Sequence, residues 1–278
     1  MASIVTLDIY SGRENPSWIV DDDSKLAGIQ SAAAGAKSLG SLPVLGYRGF
    51  HVRSVESEDG AAAALEGPQG AEGVVIAGQR EAEELLLSTA GEHVDAELRS
   101  VVREAVARPP DVAALDAAAT AAAVRCPPCH AADAPTYNPA FWNTPARQPK
   151  NNCYNYANNQ ATNTFAQPGR ATGHMYTALT CPAVRAAATS DGLHAVPNFG
   201  GHLGPGHGWY VALVIWPGRD YHWYRQDKNG CWSHKPGQTA ARNTDNSGHL
   251  IADPRTCNRG PYTNFCTYMI TTRHVRIR

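Results

Sequence analysis

The pattern of apolar and polar positions predicts a chain of short strands and amphipathic helices. Ile4-Val5-Thr6-Leu7-Asp8-Ile9-Tyr10 is β-branched and roughly alternating, which predicts a first strand. Turn residues follow from Ser11 to Pro16. Asp21-Asp22-Asp23-Ser24 offers cap oxygens and negative charge to a helix over 25–39. Residues 49–55 and 73–77 have strand texture. Residues 80–89 and 92–107 carry helical stripes, and Pro109-Pro110 stops the second. Residues 113–124 are alanine-rich without a strong stripe and read as a helical connector or a loose linker.

Further along, 126–150 is rich in Pro, Asn and aromatics and reads as an ordered, irregular segment. A short helix is expected over 183–188. Trp209-Tyr210-Val211-Ala212-Leu213-Val214-Ile215-Trp216 is apolar on both faces, as a central strand is. Pro217-Gly218-Arg219-Asp220 is a turn signal and 221–225 a returning strand, so the two form a β-hairpin. Residues 267–277 read as a last strand.

Charge divides this pattern in two. Residues 1–125 hold 19 acidic and 10 basic side chains, a net of −9; residues 126–278 hold 6 and 14, a net of +8. All seven cysteines and five of the six tryptophans lie in the second part. The reading is an α+β protein with an acidic domain over 1–110, an alanine-rich connector over 111–125 and a basic, cysteine-containing α+β domain over 126–278. Opposite charges favour docking of the first domain on the second, as a regulatory or substrate-recruiting module. The positive charges are dispersed and form no basic run, so nucleic acid is not an expected partner. No apolar run reaches the roughly 18 residues that span a bilayer. The opening residues lack a basic segment followed by an apolar one, which points to the cytoplasm, whereas the cysteine content points to an oxidising destination.

The candidate chemistry centres on Cys153, in Asn151-Asn152-Cys153-Tyr154-Asn155-Tyr156. Asn151 and Asn152 are good cap residues, so Cys153 is expected to open a helix towards Ala161. A helix N-terminus and the nearby Lys150 lower a thiol pKa. His207, in Gly204-Pro205-Gly206-His207-Gly208, stands at the mouth of the central strand as a candidate base, with His202, His222 and His234 as rivals. With Trp216 set opposite Tyr221, the hairpin brings Gln226, Asp227 and Asn229 to the same end. Asp227 is the best partner to orient an imidazole. Asn152, Tyr154 and Trp209 are the candidate substrate contacts.

The order of Cys153, a strand-entry His207 and a polar residue on the next strand resembles the papain-like cysteine hydrolases, including the NlpC/P60 and CHAP branches. That resemblance covers 148–230. It implies an antiparallel α+β domain, a thiol-dependent hydrolase or transglutaminase-like acyltransferase acting on the amide bonds of a peptide or protein, and an oxyanion donor at Gln148. The runs around Cys153 and Tyr221-His222-Trp223-Tyr224-Arg225-Gln226-Asp227 are similar to those of a little-characterised bacterial group, and to some shell-matrix proteins.

Two other readings stand beside the hydrolase. Six cysteines besides Cys153 permit three disulfides, with Cys257 and Cys266 able to close a short loop, in a non-enzymatic binding or matrix protein. Cys126-Pro127-Pro128-Cys129-His130 also fits half of a zinc site; no other cofactor is expected.

Overall fold

Every residue of the first strand, β1 (Ala2–Asp8), is buried, so the strand is covered on both faces and lies inside its sheet. The structure is a computed structural model and describes residues 2–34, 41–55, 73–121 and 125–278. It places β1 between β2 (Ser17–Val20) and β3 (Gly49–Val55), with β4 (Val74–Ile76) outside β3, all antiparallel. Three helices accompany this sheet: α1 (Asp23–Ala34), α2 (Arg80–Ser88) and α3 (Ala96–Ala107). The last part of the helix expected over 25–39 lies outside the described residues. The α3 helix starts later than its stripe suggests, because the Asp95 side chain accepts from the Leu98 N–H at 2.9 Å and sets the cap there. It buries Leu98, Val102 and Val106, one residue per turn on one face.

The chain divides into two units. One comprises Met1–Ile9 and Asn15–Val112; the other comprises Tyr10–Glu14 and Ala113–Arg278. Each has its own antiparallel sheet, so the class is α+β. Five residues of the turn after the first strand therefore belong to the second unit, which no composition shift announces.

In the second unit the alanine-rich stretch forms α4 (Val112–Ala121), and short helices α5 (Pro139–Trp142) and α6 (Cys153–Ala157) precede α7 (Cys181–Ser190). The sheet contains β5 (His194–Val196), β6 (Trp209–Trp216), β7 (Asp220–Gln226), β8 (Trp232–His234) and β9 (Asn264–Thr271). Its order is β5-β9-β6-β7-β8. Both strands of the expected hairpin are buried throughout. Its register differs from the expectation by one residue: Trp216 faces Asp220, and Tyr221 faces Ile215. The reason is a tighter turn. Gly218 takes φ 68°, and the Arg219 N–H donates to the Trp216 carbonyl at 2.9 Å, so Asp220 already belongs to the strand. The last strand starts and stops earlier than 267–277. Val275 and Ile277 still join the core, but outside the ladder.

Candidate functional site

The α6 helix opens as its sequence predicts. The Asn152 side chain accepts from the Tyr154 and Asn155 N–H groups at 3.0 and 3.1 Å, and the Asn155 side chain accepts from the Asn152 N–H at 3.2 Å. This reciprocal cap fixes the first turn. Cys153 follows it and is fully buried among Tyr221, Trp223 and the other core residues of this unit. Burial pushes its thiol pKa well up. The nearby Asp220 adds to the rise, and the Trp223 peptide N–H offsets it only partly. A thiol in that setting is held as the neutral, unreactive form.

The other expected site residues are each committed elsewhere. His207 is exposed, with Nδ1 3.2 Å from the Pro205 carbonyl. Its loop is fixed by Asp133, whose carboxylate accepts from the Gly206 and Gly208 N–H groups at 2.8 and 3.0 Å. Asp227 is buried and accepts from Arg225 Nε at 2.9 Å; Arg225 Nη1 also donates to Asn159 Oδ1 at 3.0 Å. The Gln148 carbonyl accepts from Lys235 Nζ at 2.6 Å. The Tyr154 hydroxyl donates to Asp191 at 2.8 Å, and the Trp209 indole N–H donates to the Ala157 carbonyl at 2.9 Å. Asn152 Nδ2 donates to the Gly12 and Ala166 carbonyls at 2.7 and 2.8 Å.

Among the rival residues, His202 is exposed. His222 and His234 form a buried pair, Nε2 to Nδ1 at 2.9 Å. His234 Nε2 lies 3.0 Å from the Thr244 carbonyl and must donate to it. In neutral rings the His222 Nε2–H then donates to His234. Gln226 donates to the Gly230 carbonyl at 3.3 Å, and Asn229 accepts from the Cys231 N–H at 3.1 Å. The structure brings no imidazole to the Cys153 thiol among the described hydrogen bonds.

What it does bring together around α6 is a polar framework that the sequence did not single out. The Asp220 carboxylate accepts from the N–H groups of Ser11, Gly12 and Arg13 at 2.5, 3.2 and 3.1 Å and from the Tyr262 hydroxyl at 2.5 Å. The Gly12 carbonyl accepts from Asn152, Gln167 and Tyr221. A Cβ at Gly12 would sit 2.4 Å from the Tyr221 ring, so only glycine fits. Lys235 Nζ is buried and donates to three carbonyls, of Gln148, Asn151 and Gly237, at 2.5 to 2.6 Å. Buried polar groups with this many partners fix a conformation.

The cysteines also pair differently from the expectation. Cys126 bonds Cys231, and Cys181 bonds Cys266. Cys129, Cys153 and Cys257 are free thiols, so there are two disulfides and the Cys257–Cys266 loop is not closed. The zinc expectation at Cys126 and Cys129 is corrected for the same reason: the Cys126 sulfur is consumed in a disulfide and cannot ligate as a thiolate. Among the described residues no group of three or more His, Cys, Asp or Glu is placed to hold a metal ion. No described helix is long and apolar enough to cross a membrane.

No family model and no solved structure matches the chain. Over 135 residues, 48% of its length, it is 50% identical to insoluble matrix shell protein 1 of Ruditapes philippinarum, covering 87% of that protein. This likeness corrects the reading as a bacterial hydrolase, because the similar protein is a shell matrix protein of a mollusc. The disulfide-stabilised alternative is the better supported of the two.

Proposed function

The chain belongs to the family of insoluble matrix shell protein 1, and on that premise we propose that it is a secreted structural component of an insoluble extracellular matrix. The observation that carries this reading is the 50% identity across 87% of that relative. The role is to hold a shape rather than to turn over a substrate. Two disulfides at sequence separations of 105 and 85 suit an oxidising, extracellular setting. In the chain-entropy account, a cross-link closing ~100 residues constrains the unfolded chain by about 4.7 kcal/mol. The buried network of Asp220, Lys235 and Arg225 adds rigidity in the same unit, and a neutral, buried Cys153 suits a protein without thiol chemistry.

Fractionation tests the proposal. Source tissue is separated into cytosolic, medium-soluble and acid-insoluble matrix fractions, and peptides of the chain are followed by mass spectrometry. Recovery chiefly in the acid-insoluble matrix is expected. Recovery in the cytosol with the four paired cysteines reduced would refute the reading.

A further inference from the structure

The second unit carries a cleft of about 570 Å³ beside the framework around α6, which shares Arg13 and Gln167 with it. Its volume lies in the range of about 300 to 1,000 Å³ usual for small-ligand pockets. Arg13, Glu14, Gln167, Arg170, Met175 and Tyr176 are among the residues that line it. Both arginines are exposed, and neither has a carboxylate partner among the described ion pairs. Each guanidinium makes one hydrogen bond, to a carbonyl: Arg13 Nη1 to Arg219 at 3.0 Å and Arg170 Nη1 to Thr164 at 3.4 Å. Their remaining N–H donors are free to meet an oxyanion.

Arg13 is also held in place. Its peptide N–H is bound by the Asp220 carboxylate at 3.1 Å, and its guanidinium lies 4.8 Å from the centre of the Tyr10 ring. A fixed planar cation loses little freedom on binding a carboxylate or sulfate. The walls of the cleft are not purely ionic. Met175 is 46% exposed, an unusual state for a large apolar side chain in this protein, and the half-buried Tyr176 stands beside it. Tyr176 is fixed by its hydroxyl donating to Gln167 Oε1 at 2.9 Å. Glu14, the one acid of the cleft, repels a second anionic group and so limits how a charged chain can lie.

The geometry points to an acidic oligosaccharide as the ligand: its carboxylate or sulfate pairs with Arg13 and Arg170, and a sugar ring lies over Tyr176 and Met175. Two cations beside an aromatic and an apolar surface match a ligand that is charged and ring-shaped, which an extended acidic peptide is not. The site stands on the cleft and does not depend on where the protein is deposited. Failure of the matrix reading would appear in the fractionation, and failure of this one in binding.

Calorimetric titration of the full chain with a sulfated chondroitin hexasaccharide tests it. The comparison ligands are the same saccharide with its sulfates removed and carboxyls reduced, and a poly-aspartate decamer. The sulfated saccharide is expected to bind and the neutral one to fail. The double variant Arg13→Gln/Arg170→Gln is expected to weaken binding by about 10-fold or more, as loss of charge-assisted hydrogen bonds does. Arg276→Gln, an exposed arginine outside the cleft, is expected to change it by less than about twofold. Arg170→Gln alone, on an exposed side chain, serves if the double variant does not fold. Wild-type affinity in that variant, equal loss in Arg276→Gln, or equally tight arginine-dependent binding of poly-aspartate would each overturn the proposal.

Discussion

Each unit buries an aspartate at the end of a strand, and the two carboxylates are held by opposite means. In the first unit Asp8 closes β1 and meets a full positive charge: Arg48 Nη2 at 2.6 Å and Nε at 3.1 Å, with His51 Nε2 at 3.5 Å. In the second unit Asp220 opens β7 and meets neutral dipoles, three peptide N–H groups and the Tyr262 hydroxyl. Burial raises both pKa values. At Asp8 the Arg48 guanidinium overcomes it and holds the carboxyl well below the ordinary range, whereas at Asp220 burial prevails and the value is raised. Between these two sites the direction of the shift follows the charge of the donors, but a charged donor alone does not suffice: Asp227, which accepts from Arg225, is still raised by burial.

The largest way to break this comparison is to remove the counter-charge. Arg48→Met takes the guanidinium from the buried Asp8 and leaves it only the Asn15 amide and His51, which costs about 3–5 kcal/mol. Hydrogen exchange on the full chain should show peptides of β1 and β3 losing protection while those of β6 and β7 keep theirs. Removing one neutral donor is a smaller change. Tyr262→Phe takes one of the Asp220 partners and is expected to cost about 1–3 kcal/mol, read as a lower denaturation midpoint of the second unit.

The smallest effect sharpens the contrast through pH. A depressed acid such as Asp8 stabilises the fold above its unfolded value, and this is lost as pH falls below the ordinary 3.8. A raised acid such as Asp220 does the reverse. Its contribution is complete below 3.8 and is lost as pH rises through its folded value. Asp191, also raised by burial, acts in the same direction. Acidification from neutral towards pH 3.8 should therefore raise protection of β7 peptides, after correction for intrinsic exchange rates. The first unit should lose protection only below that point.

The parts of this fold that were legible in sequence are those set by short-range pattern. The uninterrupted apolar run of β6, the Pro-Gly turn after it and the Asn152 cap of α6 were all visible, because local propensity and burial agree there. The hairpin register was missed by one residue, since whether Asp220 is a turn residue or a strand residue depends on partners far away in sequence. One of these is Ser11, whose N–H meets the Asp220 carboxylate. The same non-locality hid the site. Cys153 has the flanks of an accessible helix-opening thiol, yet Tyr221 and Trp223 close over it. Asp227 looked free to orient a histidine, yet Arg225, two residues before it, takes its carboxylate. Lys235 carried no local signal and Gly12 only that of a turn, although the crowding of carbonyls on Lys235 Nζ and of donors on the Gly12 carbonyl organises α6.

Cysteine mapping of the native, non-reduced protein tests the central claim most directly. The protein is treated with iodoacetamide at near-neutral pH, then denatured, digested and analysed by mass spectrometry. The account predicts Cys126–Cys231 and Cys181–Cys266 as linked peptides and Cys153 labelled only after denaturation. Rapid native labelling of Cys153, faster than an ordinary exposed thiol, would contradict it.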